Sequence, residues 1–208
     1  MPNLLELFAG SRAISKEAEK LGMETFSVDI QPYEGIDCVM NIMDFNYAYL
    51  PFEPDIIWAS PPCTAFSVAS IGHHWGGGYK GYEPKTDKAR LGIELVAKTL
   101  RIIQRGALTN SKLLFYIENP RGLLRKLGIL DHIPRHTVTY CQYGDTRMKP
   151  TDIWTNSRRW KPRPMCKNGA TCHEPAPRGS KSGTQGLKGA YERSVIPPEL
   201  CREVLCVI

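Results

Sequence analysis

The feature that most constrains the fold is an alternation, over the first 120 residues, of short apolar runs typical of strands with amphipathic patterns typical of helices. Such alternation builds βαβ units around a parallel sheet. We therefore predict an α/β fold with a Rossmann-like sheet and helices on both faces. The predicted strands are residues 3–8, 25–29, 55–59, 113–118 and 137–141. The first predicted helix begins after a cap at Ser11 and ends at Gly22, and two further helices are predicted over residues 87–105 and 198–206.

Composition sets the size and setting of this fold. A chain of 208 residues, 42% of them hydrophobic, can bury one core, which excludes disorder as its main state. No apolar run approaches the ~20 residues that cross a bilayer, so we expect a soluble monomer with no membrane partner. Seven cysteines in irregular spacing favour a reducing compartment, the cytoplasm of a prokaryotic or phage-infected cell.

Positive charge is concentrated in residues 157–189, named here the basic segment. This stretch, rich in Pro and Gly, carries eight Lys or Arg against one Glu, whereas the rest of the chain is nearly neutral. It predicts an irregular surface that faces a polyanion, although a solvated loop would look the same. We accordingly divide the chain into a catalytic domain over 1–156, the basic segment, and a C-terminal segment over 190–208 that returns to the domain.

Polar residues follow four of the predicted strands. Residues 8–11 (FAGS), Asp29, residues 60–63 (SPPC) and residues 118–120 (ENP) each stand where a strand ends. Ligands of open α/β sheets bind outside the carboxyl ends of the strands. The sequence therefore predicts a binding site at that edge of the sheet.

The first two of these segments suit a cofactor that carries a nucleoside. Gly10 allows close backbone approach at a helix N-terminus, and Asp29, about twenty residues later, is placed like an acid that binds ribose hydroxyls. Asp44 could similarly reach an adenine amino group. Each acid could instead cap a turn, and an NAD-dependent oxidoreductase would share Gly10 and Asp29.

The last two segments suit covalent chemistry. Cys63 follows two prolines at an accessible strand end, as a nucleophile should, and Glu118 ends an apolar strand whose surroundings would favour its protonated form. A thiol and a carboxylic acid on neighbouring strand ends make a covalent mechanism conceivable. The Gly-rich residues 71–81 predict a mobile loop beside this site.

Six segments in order, LLELFAGSRAIS, FSVDI, SPPCTAFS, FYIENPRG, QYGDTRMKPTDIW and ERSVIPP, resemble the motif set of the DNA (cytosine-5)-methyltransferase family over nearly the whole chain. The chain resembles a small member, because the basic segment stands where relatives usually carry a long target-recognition region. It also departs from the family at Thr64 and Pro120, and at Arg12 and Ala13, where the cofactor turn usually holds glycines.

The resemblance implies a Rossmann-like methyltransferase domain that transfers a methyl group from S-adenosyl-L-methionine to carbon 5 of a flipped cytosine in DNA. Cys63 would attack carbon 6 and Glu118 would contact N3, while Arg147 or Lys149 would replace an arginine that clamps the base. The residues expected to bind the cofactor are Phe8, Gly10, Ser11, Asp29, Ile30, Asp44, Pro61 and Ser194. Those expected to contact DNA are Ser67, His73, His74, Arg158, Arg159, Lys161 and Arg163.

Other functions stay open. The chain could act on RNA or on a modified pyrimidine, or it could be a catalytically weak DNA-binding remnant, which the altered residues 147–151 would favour. An oxidoreductase would leave the segments around Cys63 and Glu118 without a purpose. The short basic segment predicts low sequence specificity, since phosphate contacts carry no sequence information, unless a partner protein supplies it.

Zinc is a further possibility within the basic segment. Cys166, Cys172 and His173 are spaced Cys-x5-Cys-His, which is not a standard finger pattern, and a fourth ligand would have to be Cys141 or Cys201. For that reason we expect no metal site from the sequence.

Overall fold

The structure is a computed structural model that describes residues 1–78, 81–167, 169–175 and 189–207. The strands are β1 (Asn3–Leu7), β2 (Glu24–Asp29), β3 (Cys38–Val39), β4 (Ile56–Ala59), β5 (Trp75–Gly76), β6 (Glu83–Pro84), β7 (Leu114–Pro120), β8 (Arg135–Thr139) and β9 (Pro150–Thr155). The helices are α1 (Ala13–Lys20), α2 (Ile71–His74), α3 (Asp87–Thr109), α4 (Ala190–Ser194) and α5 (Pro198–Leu205).

Seven strands form one sheet in the order β3-β2-β1-β4-β7-β9-β8. The pairs β3-β2, β2-β1, β1-β4 and β4-β7 are parallel, whereas β9 runs antiparallel to both of its neighbours. The predicted α/β fold with a mainly parallel sheet is confirmed. The parallel strands end at one edge, called here the carboxyl edge, and begin at the opposite amino edge.

The sheet separates two apolar cores, as alternating strand residues point to opposite faces. Leu5 and Leu7 of β1 pack in a core with buried residues of α3, while Leu4 packs in a second core with α1 and α5. The prediction of helices on both faces is therefore confirmed. Trp154 and Trp160 are buried, one in each core, as expected of core anchors.

Strand β9 is one of the elements that the sequence did not predict. Its residues are almost all buried, yet Thr151 and Asp152 break the apolar alternation that marks a strand. Asp152 tolerates burial because Thr137 donates to its Oδ1 over 2.7 Å and the Arg125 guanidinium lies 3.4 Å from its Oδ2. Pairing on both sides and these polar contacts outweigh the weak local signal.

The start of α1 also differs from the prediction, because Ser11 does not cap the helix. Arg12 occupies the cap position with a left-handed φ of 55°, and its side chain accepts no capping hydrogen bond. The Glu6 carboxylate instead accepts from the Ser15 backbone N–H over 2.9 Å and from its hydroxyl over 2.5 Å. Burial raises the pKa of Glu6 to about 7.

The Gly-rich segment expected to be a loop holds α2 and one strand of the β5-β6 hairpin in its described part; Tyr79 and Lys80 lie outside the described residues. Trp75 is buried against Phe66, and its indole N–H donates to the Ala65 carbonyl over 2.7 Å. No helix in the described ranges is long and apolar enough to cross a membrane.

Candidate active site

The predicted polar segments meet at the carboxyl edge. The register places Leu7 beside Val28 and Ala59, and Ala59 beside Ile117, so the segments that follow β1, β2, β4 and β7 leave the sheet side by side. Cys63 and Glu118 therefore lie on neighbouring segments. This is the arrangement that ligand sites of open α/β sheets use.

Two hydrogen bonds tie the Cys63 segment to the Glu118 segment. The Asn119 side-chain amide donates to the Pro61 carbonyl over 2.9 Å, and the Leu123 N–H donates to the Phe66 carbonyl over 2.8 Å. Gly122 makes the second contact possible, because a Cβ there would lie 2.3 Å from the Phe66 carbonyl oxygen. The spacing of thiol and carboxyl is thus set by the backbone.

Burial and charge control the Cys63 thiol. Cys63 is half-buried, and its pKa is raised first by burial and then by the negative charge of Glu118, while the Lys149 ammonium partly opposes both. Glu118 is buried and accepts a hydrogen bond from the Tyr140 hydroxyl over 3.0 Å. In the free protein this environment favours the thiol over the thiolate.

Lys149 is a cation whose charge acts on both Cys63 and Glu118. Its Nζ donates to the Arg193 carbonyl over 2.9 Å and lies 4.5 Å from the centroid of the Tyr140 ring. Burial lowers the pKa of Lys149, and the charge of Glu118 partly restores it. The backbone φ of 22° at this residue is one that side-chain-bearing residues rarely adopt, and such strain gathers at functional sites.

The side chain of Arg147, the other residue expected to clamp a base, is engaged in contacts within the protein. Its guanidinium pairs with Asp145 and donates to the carbonyls of Glu192, Arg193 and Val195 over 3.0–3.2 Å. It is buried and holds the turn at 192–195 against the β8-β9 connection. Of the two predicted residues, Lys149 is the one whose charge acts on Cys63 and Glu118.

Of the residues predicted to bind the cofactor, Gly10 and Asp29 meet where β1 and β2 end at the same edge. The Asp29 carboxylate accepts from the Gly10 N–H over 2.9 Å and from the Gln31 N–H over 2.8 Å. Gly10 has a φ of 50°, and a Cβ built on it would come no closer than 4.0 Å to the Phe8 carbonyl or to Ser194 Oγ.

These residues fit a nucleoside. A carboxylate has about four acceptor positions, so Asp29 can bind two ribose hydroxyls beside its backbone donors, and Gly10 adds no side chain there. Phe8 adopts a left-handed φ of 57°, Ser11 is half-buried, Ile30 and Asp44 are exposed, and Pro61 is buried. S-adenosyl-L-methionine would be held by Asp29 at its ribose and by Asp44 at its adenine.

The residues expected to contact DNA separate into three groups. Ser67 and His73 lie on the segment that carries Cys63, the first half-buried and the second exposed. His74 was also expected to contact DNA, but it is buried, and its Nδ1 lies 2.7 Å from the hydroxyl of Thr86, the N-cap residue of α3. Its ring supports the fold and does not face a phosphate.

The basic segment carries the other residues that were predicted to contact DNA. Arg158, Arg159 and Lys161 are exposed, but the first two follow Asn156, whose amide oxygen accepts from the Phe115 N–H over 3.0 Å at the start of β7. They therefore lie toward the amino edge, away from Cys63. Arg163 is paired with Glu199 and Glu203 of α5 over 2.6 and 3.0 Å, so it anchors the segment to the fold.

Tyr140 and Asn119 are site residues whose roles sequence reasoning missed. Tyr140 contacts Glu118 only because β9 inserts between β7 and β8, and that strand carried no clear local signal. Asn119 stands in the quoted segment FYIENPRG, so its position was available, but its bond to Pro61 depends on the sheet register.

The nearly full-length similarity is to a viral protein. The chain is 28% identical over 218 residues to the "Probable DNA (cytosine-5)-methyltransferase" of Frog virus 3 (isolate Goorha), which covers 97% of this chain and 98% of that protein. This confirms the resemblance inferred from the motifs. No protein-family model matches the chain.

Solved structures share the fold. A candidate DNA modification methyltransferase encoded within an E. coli prophage aligns with a TM-score of 0.53 and 14% identity, over 78% of this chain and 51% of that one. S. pombe Dnmt2 methyltransferase aligns with a TM-score of 0.46 and 14% identity, over 74% of this chain and 48% of that one. The chain spans about half the length of these two structures. The likeness to the prophage structure confirms the predicted Rossmann-like fold.

Proposed function

We propose that this protein transfers a methyl group from S-adenosyl-L-methionine to carbon 5 of cytosine in DNA, through a covalent adduct on Cys63. The observation that carries the proposal is the pairing of Cys63 with Glu118 on tied segments of the carboxyl edge, with Lys149 facing both. The frog virus relative, which bears this activity in its name, supports the substrate.

The reaction explains why a thiol and a carboxyl are needed together. Carbon 5 of cytosine is a poor nucleophile until a thiolate adds to carbon 6. The new S–C bond sends the C5=C6 electron pair into the ring, and a proton from Glu118 at N3 stabilises the enamine that results. Carbon 5, made nucleophilic in this way, would take the methyl group. Solvent then accepts the carbon 5 proton, the electrons of that C–H bond re-form the C5=C6 double bond as the S–C6 bond breaks and Cys63 leaves as the thiolate, and N3 returns its proton to Glu118. The bound cofactor supplies the electrophilic methyl group.

The surroundings of Glu118 suit this role. Tyr140 donates to its Oε1, which orients the carboxyl group, and we assign the other oxygen to N3 of the base. To donate a proton to N3, Glu118 must first carry it, and in that form it lacks the negative charge that raises the pKa of Cys63. The ammonium of Lys149 then acts on the thiolate with less opposition.

The DNA must present its base to a half-buried thiol. A base inside a duplex cannot reach Cys63, so the cytosine has to be turned out at a cost of a few kcal/mol. Ser67 and His73, on the segment that carries Cys63, are the proposed contacts to the backbone of the opened strand. Sequence specificity would be low, because the basic segment is short.

The test is transfer of isotope-labelled methyl to duplex DNA and to RNA of the same sequence, followed by nucleoside mass spectrometry. We expect 5-methylcytosine in DNA, its loss in Cys63→Ser, and its retention in the matched control Cys206→Ser, whose thiol is exposed at the end of α5. Labelled RNA alone would establish the alternative substrate. Cofactor binding without transfer to either polymer would identify a remnant.

A further inference from the structure

Three cysteines and a histidine from two stretches of the sequence meet at the β8-β9 connection. They are Cys141, Cys166, Cys172 and His173, and their ligand atoms all lie within 4.8 Å of one another. Cys141 follows β8, whereas the other three belong to the basic segment. None of them takes part in the proposed methyl transfer.

Three of the separations among these atoms come near the edge lengths of a zinc tetrahedron, and a fourth, Cys166–Cys172, is shorter. Zn–S bonds of about 2.3 Å and Zn–N bonds of about 2.0 Å place neighbouring ligand atoms roughly 3.5–3.8 Å apart. The observed separations are 3.1 Å for Cys166–Cys172, 3.6 Å for Cys172–Cys141, and 3.4 and 3.8 Å from His173 Nδ1 to the sulfurs of Cys166 and Cys172. The Cys166–Cys172 separation exceeds the about 2.05 Å of a disulfide bond.

The fold around the cluster is shaped to hold it. The Cys166 N–H donates to Thr139 Oγ1 at the end of β8 over 2.8 Å, and the Glu174 N–H donates to the Thr146 carbonyl in the β8-β9 connection over 2.9 Å, so the segment is held on both sides of the cluster. The Gln142 side-chain amide lies 3.3 Å from Cys172 Sγ, as a donor to a ligating thiolate would. These bonds place the cluster at the carboxyl edge.

We propose that these four residues bind one structural Zn²⁺ ion. Soft sulfur and imidazole donors in a tetrahedral set select zinc, and four protein ligands leave no open position, which marks a structural site. On binding, the three thiols release their protons to solvent and His173 coordinates through neutral Nδ1. Cys201, the other ligand considered from the sequence, is buried in the second core and is not part of the cluster.

The ion would stabilise a part of the chain that contains little secondary structure. Between Thr155 and Ala190 the described residues form no helix or strand, so few backbone bonds order them. Zinc would fasten the basic segment to the connection that carries Arg147 and Lys149. The metal would thereby support the carboxyl edge without taking part in the reaction.

The first measurement is metal content of the full chain, purified without chelator under reducing conditions. We expect about one zinc per chain, and Co²⁺ in its place should give the strong visible absorption of tetrahedral thiolate coordination. Cys172→Ser should lose stoichiometric zinc, and Cys172→His should recover it, because imidazole is also a ligand. Cys206→Ser, an exposed cysteine outside the cluster, is the matched control that keeps the metal.

Three results would overturn the proposal. These are folded wild-type protein with far less than one zinc per chain, a Cys166–Cys172 disulfide found by mass spectrometry in protein purified under reducing conditions, or stoichiometric zinc in Cys172→Ser. Methyltransfer activity is not needed as a readout. Failure of the zinc site and failure of the proposed function are therefore distinguishable.

Discussion

At the scale of single residues, two opposite charges act on the Cys63 thiol. Glu118→Gln removes the negative charge that raises its pKa, so the thiolate should form at lower pH. Lys149→Met removes the positive charge that lowers it, so the thiolate should form at higher pH. The measurement is the rate of Cys63 alkylation by iodoacetamide against pH, followed peptide by peptide in the mass spectrometer.

Exposed Cys206 is the internal reference for that experiment, since its profile should not move in either variant. Opposite shifts of the Cys63 profile are expected. If both variants shift it in the same direction, the assignment of Glu118 and Lys149 as the charges that face the thiol is wrong.

A second residue-scale prediction concerns the cofactor. Asp29→Asn removes the charge from the hydrogen bonds to the ribose, and a total loss of roughly 1.5–3 kcal/mol, the contribution of one charge-assisted bond, should lower the affinity for S-adenosyl-L-methionine about ten- to a hundredfold. DNA affinity should change little. Titration calorimetry checks both, with Glu34→Gln, an exposed acid on the connection after β2, as the control. Unchanged cofactor affinity would remove Asp29 from the site.

At the scale of elements, the tie between the β4 and β7 segments depends on Gly122. Gly122→Ala would place a Cβ 2.3 Å from the backbone oxygen of Phe66, so the two segments must move apart. We expect a loss of about 1–3 kcal/mol in unfolding free energy, as for other overpacked sites, together with a lower kcat. Denaturant unfolding and methyl-transfer kinetics measure the two effects.

Gly72→Ala is the matched control, because a Cβ at that position of α2 meets no atom within 4 Å. It should leave stability and kcat close to those of the wild type. Equal kcat in Gly122→Ala and Gly72→Ala would show that the spacing between the Cys63 and Glu118 segments does not limit the reaction.

Some of these elements could be predicted from the sequence and others could not. Strands β1, β2, β4 and β7 follow apolar runs with polar residues at their ends, so their existence and the shared edge were readable from local pattern. Strand β9 was not, because buried Asp152 depends on Arg125 and Thr137 from other elements. The surroundings of Glu118 and the distant position of Arg158 both follow from that strand, so the sequence alone could not supply them.

At the scale of the whole molecule, we predict that exposed cations at the carboxyl edge of the sheet contact DNA phosphates and that those at the amino edge do not. Arg121 follows β7 at the carboxyl edge, and Lys167 follows Cys166, whose N–H is bonded to the end of β8. Each phosphate contact adds about 0.9 to the slope of log affinity against log salt concentration. Replacing both with Ala should flatten that slope by about two units for all duplexes alike.

The matched control is the double variant Arg158→Ala and Arg159→Ala, which removes the same charge from the amino edge. Fluorescence anisotropy over a range of salt concentrations should give it the wild-type slope. A flattened slope in this control and an unchanged one in the Arg121 and Lys167 variant would mean that DNA approaches the other edge of the sheet.

The proposed mechanism depends on a covalent bond between Cys63 and a cytosine. Fluorine at carbon 5 cannot leave as the proton does, so duplex DNA containing 5-fluorocytosine should trap the adduct after methyl transfer. With S-adenosyl-L-methionine present, we expect a complex that survives denaturing electrophoresis in the wild type and in Cys38→Ser, and none in Cys63→Ser. Peptide mapping should place the DNA on Cys63. A denaturation-stable complex in Cys63→Ser, or wild-type protein that methylates DNA yet forms no complex, would contradict the proposed mechanism.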